Sequence, residues 1–460
     1  MSTVLCWIRR DLRLHDHRAL YEACQSGSKV IVVFVFDTTI LSALPDRDDK
    51  RVSFIHAALT RLDAELREHG SQLVVLHGDP IQEIPRFAAQ VGASTVYAAH
   101  DYEPEAITRD REVGAKVALR TFKDQVVFER DEVLSGAGAP FRVFTPYSKA
   151  WLALASDEHL RKYDPNLSEL ATQGDWPTLQ PLETYGLESA DPGVLDAQTQ
   201  LAEFLGRIDE YGEQRDFNDR EGVSRMSVHL RFGTISVREC FRAAWGNPSQ
   251  GARKWISELI WREFYQMILS QFPHVVHSAF QAQYASLSWP GTHEHYLAWE
   301  EGRTGYPIVD AAMRCLNATG WMHNRARMIV AMFLTKDLLC DYRWGEAHFA
   351  RKLLDFDLAQ NNGGWQWSAS TGVDAQPYFR VFNPYLQSRK FDPEGRFIRQ
   401  WCPELAGFDD NHIHAPHEAT MFEQAEAECQ IGADYPAPIV DHSVQRDLAI
   451  ALFKQLDNRV

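Results

Sequence analysis

Cysteine is scarce in this chain, and long apolar runs are missing from it. The seven cysteines among the 460 residues are scattered, odd in number and never arranged as a CxxC pair. This pattern argues against a disulfide framework or a thiolate zinc site, and it predicts buried thiols. The longest apolar run, Val30 to Phe36, is far too short to cross a bilayer, and no cleavable leader opens the sequence. We therefore expect a soluble, cytoplasmic protein without a membrane partner.

Glycine motifs for binding phosphates are missing from the first 130 residues. The hydrophobic pattern of these residues is nevertheless typical of an α/β fold. Short β-branched runs alternate with amphipathic segments near 17–26, 51–69, 80–91 and 104–118, which predicts a doubly wound parallel sheet. Neither GxGxxG nor GxxxxGKS/T follows a strand, so no dinucleotide or nucleoside triphosphate site is indicated. The predicted strands are Val4–Ile8, Val30–Phe36, Leu73–Leu76, Thr95–Ala99 and Val126–Phe128.

Regular periodicity fades after Ser156, and the stretch 166–192 is rich in Pro, Gly, Ser, Asp and Thr. Beyond Leu201 almost every segment has helical period, with breaks at glycine and proline. The sequence therefore predicts an α/β domain at 1–135, an interdomain connection at 136–200 and a large all-α domain at 201–460.

Positive charge is in deficit, with 47 Lys and Arg against 63 Asp and Glu and a net charge of −16. This balance speaks against nucleic acid as a partner. The distribution is uneven, because residues 321–400 carry 11 Lys and Arg against 8 Asp and Glu, whereas residues 401–460 carry 3 against 11. A basic patch and a random fluctuation of surface charge both remain open from composition alone.

One predicted helix, Trp255–Tyr265, carries an unusual polar stripe. Helical spacing aligns Trp255, Glu258 and Arg262, with Trp261 beside them. A carboxylate flanked by indoles and a guanidinium suits a binding site, and an interior ion pair under an aromatic lid is the structural alternative.

A second helix, Trp321–Met328, aligns Asn324, Arg327 and Met328. An amide and a soft thioether on one stripe suit contact with a planar polar ring. The alternative is an Asn that satisfies backbone groups in a helical core.

A third segment runs from Leu354 to Trp367. Asp355 and Asp357 lack a third carboxylate or histidine at ligand spacing, so a metal site is disfavoured and none is predicted. Asn361 and a predicted Gly363-Gly364 turn allow a backbone to approach a ligand closely. A fourth segment, Tyr211–Ser227, offers hydroxyls and main-chain donors for a phosphate, with ordinary helix capping as its alternative.

Six segments in chain order form a distinctive set: WIRRDLRLHD, GVSRMS, WISELIWREFY, GRTGYPIVDAAMR, TGWMHNRARM and NNGGWQWSASTG. With the closing segment Asp434–His442, they resemble the photolyase and cryptochrome family over nearly the whole chain, and most closely its class I enzymes for cyclobutane pyrimidine dimers (CPD). The resemblance implies an α/β antenna domain joined by a long loop to a helical domain that holds FAD. This agrees with the organisation predicted from the pattern.

Carried over position by position, the resemblance implies a set of FAD-binding residues. In it Asn361 faces flavin N5 and Arg327 pairs with Asp355. Val223 departs from the family pattern, because related bacterial enzymes usually carry Thr there, while Ser224 and Ser227 remain. The implied set is Tyr211, Val223, Ser224, Arg225, Met226, Ser227, Trp255, Glu258, Arg262, Arg327, Asp355, Phe356, Asp357 and Asn361.

The resemblance further implies a pocket for a lesion in UV-damaged DNA. Glu258 and Asn324 would bind the base edges and Met328 would pack between the rings. A (6-4) photoproduct enzyme instead resembles this helix with His at positions 324 and 328, where this chain has non-titrating residues. The implied lesion and DNA contacts are Glu258, Trp261, Arg262, Asn324, Arg325, Met328, Trp367 and Gln387.

The implied activity is that of a carbon-carbon lyase in DNA repair. Photoexcited FADH⁻ donates an electron, the two bridging bonds of the dimer cleave, and the electron returns. A lesion must first be extruded from the duplex by base flipping, for which photolyases are a standard example. The alternatives are a (6-4) photolyase and a cryptochrome-type blue-light receptor. We expect a monomer without an obligate protein partner, which would be found at the nucleoid when bound to DNA.

The resemblance also implies a tryptophan relay that reduces oxidised FAD. Its flavin-proximal position is Trp365 and its surface position is Trp289, but the middle position is Tyr342, where relatives carry Trp. A bypass through Trp344 is the alternative. For a second, antenna chromophore the sequence leaves 8-hydroxydeazaflavin, methenyltetrahydrofolate, a flavin and an empty site open.

Overall fold

The computed structural model describes residues 2–457. Within them the chain divides into two compact units. The first contains the residues up to Asp209 together with Ser224–Gln271, and the second contains Glu210–Val223 together with the residues from Phe272 onward. The domain bounds at 135 and 200 do not coincide with this division and stay a prediction.

The first unit is built on a parallel five-stranded sheet. Its strands are β1 Thr3–Trp7, β2 Lys29–Asp37, β3 Leu73–Gly78, β4 Ala93–Ala99 and β5 Leu119–Phe122. Their order is β3-β2-β1-β4-β5, with all neighbours parallel. Strands are added on one side of β1 up to β3 and on its other side from β4 onward, as in doubly wound folds. The predicted α/β class is confirmed.

Helices make up most of the remaining structure, and α4 shows how local sequence sets their bounds. Asp79 accepts a hydrogen bond from the Ile81 amide, Pro80 occupies the first turn, and Gly92 ends the helix in the left-handed region. The helices are α1 Arg18–Cys24, α2 Thr38–Leu41, α3 Lys50–Glu68, α4 Pro80–Val91, α5 Pro104–Gly114, α6 Phe144–Leu154, α7 Ala197–Leu205, α8 Tyr211–Gln214, α9 Ser227–Phe232, α10 Val237–Ala244, α11 Gln250–Gln271, α12 His293–Glu300, α13 Pro307–Thr319, α14 Asn324–Met332, α15 Tyr342–Lys352, α16 Leu358–Ala369, α17 Pro384–Phe391, α18 Arg396–Trp401, α19 Met421–Glu426 and α20 His442–Asp457.

The predicted strand Val126–Phe128 is wrong. These residues are buried, but the amides of Val127 and Phe128 donate to the carboxylate of Glu263, which also accepts from the Trp151 indole at 2.7 Å. An apolar run whose amides are satisfied by a distant side chain needs no sheet partner. The fifth strand is β5, which lies between the predicted helix 104–118 and the predicted strand, in a stretch that the sequence pattern assigned to neither.

The second unit is helical, as predicted, and its main core contains Trp299, Tyr306, Phe333 and Trp365. A short π-helix, Phe333–Asp337, follows α14. The predicted turn at Gly363-Gly364 is wrong, because both glycines lie inside α16. Asp357 caps that helix and Asn362 anchors it, so its two glycines do not end it.

All seven cysteines are buried and free, so the prediction of buried thiols is confirmed. Between α6 and α7 the chain forms two short 3-10 turns, Leu167–Glu169 and Leu182–Tyr185, in the stretch where periodicity fades. None of the helices in the described part of the chain is long and apolar enough to span a membrane.

Candidate active site

The start of α16 positions the polar residues of the third segment. The carboxylate of Asp357 accepts the amides of Ala359 and Gln360. One turn further, the Asn361 amide donates to the Glu346 carbonyl at 3.0 Å. Asn361 is therefore held in a fixed orientation by α15, with its side chain nearly buried.

Arg327 and Asp355 form the pair that the resemblance implies. Arg327 Nη2 lies 3.0 Å and 2.8 Å from the two carboxylate oxygens of Asp355, and Arg327 Nε donates to the Met322 carbonyl at 2.9 Å. The carboxylate is almost fully buried, whereas the guanidinium keeps partial access. This predicted pairing is confirmed.

The first turn of α14 brings Asn324 and Met328 together. Asn324 Nδ2 lies 3.8 Å from Met328 Sδ, and Asn324 is exposed. The preceding residue, His323, caps the helix through the Arg325 amide. Burial lowers the pKa of His323 to about 4, so this histidine is neutral and serves as a cap.

Arg325 is engaged within its own unit. Its guanidinium lies 3.0 Å from Asp216 and 4.2 Å from the ring centre of Phe391. Arg325 Nε, Gln387 Oε1 and both amide atoms of Asn218 are buried, and none has a hydrogen-bond partner among residues 2–457. Unsatisfied buried polar atoms are uncommon and point to a ligand or to water. Sequence analysis missed Asn218, and the nearby Asp216 and Asp219 were its only signal.

The ring of Trp365 lies against α15 at Gly345. A Cβ at Gly345 would come 2.0 Å from Trp365 Cη2, so only glycine fits there. Trp365 is buried, and its Nε1 has no hydrogen-bond partner in the described part of the chain. Trp367 is half-buried, and Trp289 and Tyr342 contact each other with ring centres 6.5 Å apart.

Glu346 is a second residue that sequence analysis missed. It accepts a hydrogen bond from Asn362 Nδ2 at 2.9 Å, and burial raises its pKa to about 7. No motif marks Glu346, because its environment arises only where α15 meets α16. Glu346 therefore contributes two groups: its backbone carbonyl accepts from Asn361, and its carboxyl group titrates near neutral pH.

Four candidate residues of the first unit lie on α11. Trp255 is buried against Phe204 at 5.0 Å between ring centres, and Glu258 is half-buried. Trp261 stacks on Phe144 with ring centres 3.6 Å apart. Arg262 Nη1 donates to the Gln125 carbonyl at 2.6 Å and Nη2 to the Leu230 carbonyl at 3.3 Å. The predicted contacts of Arg262 with cofactor and DNA therefore compete with two carbonyls of its own unit.

The segment before α9 adopts a turn centred on Arg225, whose φ is 52°. Ser224 Oγ accepts from the Met226 amide at 3.4 Å, and Ser227 is the first residue of α9. Neither serine is the residue that caps the helix, so the capping alternative for this segment is wrong. Of the other predicted FAD-binding residues, Tyr211 is buried, while Val223 and Phe356 are half-buried.

The residues present in the second unit fit a flavin. An isoalloxazine ring needs hydrogen-bond donors and acceptors beside an apolar surface, and Asn361, the Arg327–Asp355 pair and Trp365 supply these groups. A Cβ at Gly364 would meet no atom within 4 Å, so the exposed backbone there is open to a ligand. FAD bound to these groups would supply light absorption and one-electron chemistry.

Comparison with known proteins gives consistent matches. Residues 4–166 match the family model of DNA photolyase, and residues 255–455 match the FAD binding domain of DNA photolyase. The chain is 39% identical to the deoxyribodipyrimidine photo-lyase of Escherichia coli strain K12, with 99% of each protein covered. It is also 39% identical to the deoxyribodipyrimidine photo-lyase of Halobacterium salinarum, with 98% of each covered.

Two solved structures have the same fold. A bacterial class III photolyase from Agrobacterium tumefaciens superposes with a TM-score of 0.92 at 33% identity, covering 100% of this chain and 98% of that one. An archaeal photolyase from Sulfolobus tokodaii, solved with two FAD molecules, superposes with a TM-score of 0.86 at 33% identity, covering 99% of this chain and 100% of that one.

Proposed function

Because this chain belongs to the DNA photolyase family, we propose that it is a light-dependent DNA repair enzyme that splits cyclobutane pyrimidine dimers. The reduced cofactor FADH⁻, when bound and photoexcited, supplies one electron to the dimer and receives it back. The net redox change is zero, so the enzyme is a lyase.

The observation that favours the CPD substrate is the Asn324–Met328 pair on α14. The two side chains lie 3.8 Å apart and neither can donate or accept a proton near neutral pH. Repair of a (6-4) photoproduct requires a group transfer between the bases, for which a titrating histidine is the expected acid. A thioether and an amide suit two intact pyrimidine rings that only need to be bound and separated.

We assign three tasks to residues of this chain. Asn361 and the Arg327–Asp355 pair orient the flavin, with the other members of the FAD-binding set named above. Asn324 donates to a base edge and Met328 packs against the rings. The carboxyl group of Glu258, by donating its O–H to a base edge, would stabilise negative charge that develops on the dimer. Trp261 and Trp367 are each assigned an apolar contact with the lesion.

The proposed partner is UV-damaged DNA. Arg325, Gln387 and the exposed Arg389 and Lys390 on α17 provide polar and positive groups for its backbone. We further propose that the enzyme acts as a monomer in the cytoplasm, and at the nucleoid when bound to DNA.

Repair in light and dark tests this function. A synthetic duplex with one thymine CPD is incubated with photoreduced enzyme, and a second duplex carries a (6-4) lesion. We expect the CPD to be converted to thymines in blue light only, and the (6-4) duplex to remain unchanged. Repair of the (6-4) duplex alone would assign the enzyme to the other lesion. Flavin photoreduction without repair of either lesion would indicate a photoreceptor.

A further inference from the structure

The ring of Trp261, to which we assign a contact with the lesion, is stacked face to face on the ring of Phe144. The two ring centres lie 3.6 Å apart, and the ring planes are inclined by 8°. At this distance and angle the rings overlap almost completely, so Phe144 covers one face of the indole. Phe144 is buried, whereas Trp261 is half-buried. A ligand must therefore approach Trp261 from another side.

The packing around this pair sets its geometry. Aromatic rings prefer offset or edge-to-face arrangements over a face-to-face sandwich, because the negative ring faces repel each other. Phe264 makes an edge contact with both rings: its ring centre lies 5.9 Å from that of Phe144 at 78°, and 5.6 Å from that of Trp261 at 85°. The three rings thus hold one another in place. Without the ring of Phe144, the indole would be free to change its side-chain rotamer.

Phe144 is fixed by the helix that it begins, α6. Tyr147 and Trp151 follow at i+3 and i+7, so the three aromatic side chains lie on one face of this helix. The ring centre of Tyr147 lies 5.3 Å from that of Phe264, and Trp151 Nε1 donates to the Glu263 carboxylate at 2.7 Å. Both partners belong to α11, so two helices of the first unit fix the aromatic pair.

A fixed indole favours a rigid ligand. A side chain that becomes ordered only on binding loses rotamer freedom, and this loss weakens affinity. Ordering of the indole by Phe144 removes that cost before the ligand arrives. A cyclobutane dimer is a rigid ligand, because two bridging bonds hold its pyrimidine rings in one relative orientation. Undamaged bases stay stacked in the duplex and gain nothing from such a surface.

We propose that Phe144 is a positioning residue for lesion recognition. It holds Trp261 in the orientation that contacts an extruded dimer, and it thereby raises the preference of the enzyme for damaged over undamaged DNA. This inference rests on the proposed function, because it requires that Trp261 contacts the lesion. Phe144 acts on the capture of the dimer and not on its cleavage. Its loss should therefore weaken binding of damaged DNA and leave the repair yield of bound dimer unchanged.

Equilibrium binding in the dark tests the proposal, with FAD-loaded protein and two duplexes, one containing a single thymine CPD and one undamaged. We expect Phe144→Leu to weaken binding of the CPD duplex about 3- to 10-fold, the range that corresponds to one aromatic pair. Binding of the undamaged duplex should not change. Phe144→Tyr keeps the ring and should retain the wild-type preference. Phe141→Leu is the matched control, because the ring of Phe141 contacts Tyr147, with ring centres 6.1 Å apart.

Two results would overturn the proposal: an unchanged preference in folded Phe144→Leu protein, or equal weakening for the two duplexes. Flavin content per chain is measured for every variant, and Phe144→Met repeats the test if Phe144→Leu does not fold. Repair at saturating CPD duplex separates capture from cleavage. We expect the repair per absorbed photon of Phe144→Leu to equal that of wild type under these conditions. A lower yield at saturation would contradict a role in positioning alone.

Fluorine NMR of protein labelled with 5-fluorotryptophan supplies a readout that does not depend on repair. The signal of Trp261 is identified by its loss in Trp261→Phe. Without DNA we expect one narrow signal in wild type and in Phe144→Tyr, and a shifted, broadened signal in Phe144→Leu. An unchanged signal in Phe144→Leu would show that the stack does not hold the indole. If the signal changed as expected while wild type bound both duplexes equally, the proposed function would be wrong and the stack would still fix Trp261.

Discussion

A buried charge cluster in the first unit and several buried polar groups in the second unit differ in how far their partners satisfy them. In the first unit, Asp124 lies between Arg13 at 2.5 Å and Arg238 at 2.8 Å, and Asp16 pairs with Arg238 at 2.9 Å and Arg242 at 2.6 Å. Burial alone would raise the pKa of Asp124, but the two guanidinium groups outweigh it and hold that pKa well below its usual range. These charges are mutually neutralised.

In the second unit, several buried polar groups lack such matched partners. Burial raises the pKa of Glu346 to about 7 and Trp365 Nε1 has no hydrogen-bond partner among residues 2–457. Gln387 Oε1 is likewise unsatisfied within that range. The difference separates two roles: saturated charges stabilise a fold, whereas unsaturated groups beside an aromatic surface are suited to a ligand.

The largest effect is expected from breaking the saturated cluster. Asp124→Ala leaves the buried Arg13 without its carboxylate partner and takes one of two carboxylate partners from the buried Arg238, which costs about 3–5 kcal/mol of unfolding free energy. Chemical denaturation measures it. Glu158→Ala, which removes an exposed pair with Arg161, is the control and should change stability by less than about 1 kcal/mol. Similar losses in both variants would show that burial of the pair is unimportant.

The next largest effect concerns the pH dependence of Glu346. An unfolded Glu titrates near pH 4.3, whereas burial raises the pKa of Glu346 to about 7. Between these values the folded protein holds a proton that the unfolded chain has lost, so this group's contribution to stability falls as pH rises. Relative to wild type, Glu346→Gln should therefore gain about 2–3 kcal/mol of unfolding free energy between pH 4.5 and pH 8. Parallel stability curves for the two proteins would contradict this.

A smaller effect is expected from Arg327→Met. The substitution leaves the buried Asp355 without its partner and should weaken FAD binding about 10- to 100-fold, the value of a lost charged hydrogen bond. Flavin fluorescence on dilution measures the affinity. Arg351→Met, an exposed substitution on α15, should leave it unchanged. Equal weakening in the two variants would mean that general charge, and not this pair, attracts the cofactor.

Glu258→Ala tests whether a half-buried residue of the first unit takes part in the chemistry. We expect repair per absorbed photon to fall several-fold while flavin content stays near the wild-type value, because the carboxyl group stabilises charge on the dimer. Glu258→Gln should retain part of the yield. Parallel loss of flavin and repair would make Glu258 a structural residue.

The smallest effect is expected from Arg325→Ala. A basic side chain that contacts one DNA phosphate contributes about one unit to the slope of the logarithm of DNA affinity against the logarithm of salt concentration. Since Asp216 holds Arg325 at 3.0 Å, the slope should fall by less than about one unit, equally for damaged and undamaged DNA. A fall confined to damaged DNA would place Arg325 at the lesion itself.

Local sequence predicted those parts of the fold that depend on local physics. The bounds of α4 agree because Asp79, Pro80 and Gly92 mark them directly. The error at Val126–Phe128 arose because the partner of these amides, Glu263, is more than 130 residues away in sequence.

Prediction of the candidate site had a similar limit. The Arg327–Asp355 pair was available from resemblance to a family, whereas Glu346 carries no motif. The raised pKa of Glu346 arises from burial where α15 meets α16, which spacing along one chain does not reveal.

The most direct test of the central claim is a count of turnovers without reductant. Enzyme is reduced once, freed of excess reductant under anaerobic conditions and illuminated with excess CPD duplex. Cyclic electron return predicts that each flavin repairs many dimers and remains fully reduced throughout. Repair that stops at one dimer per flavin, with the flavin left oxidised, would contradict the account.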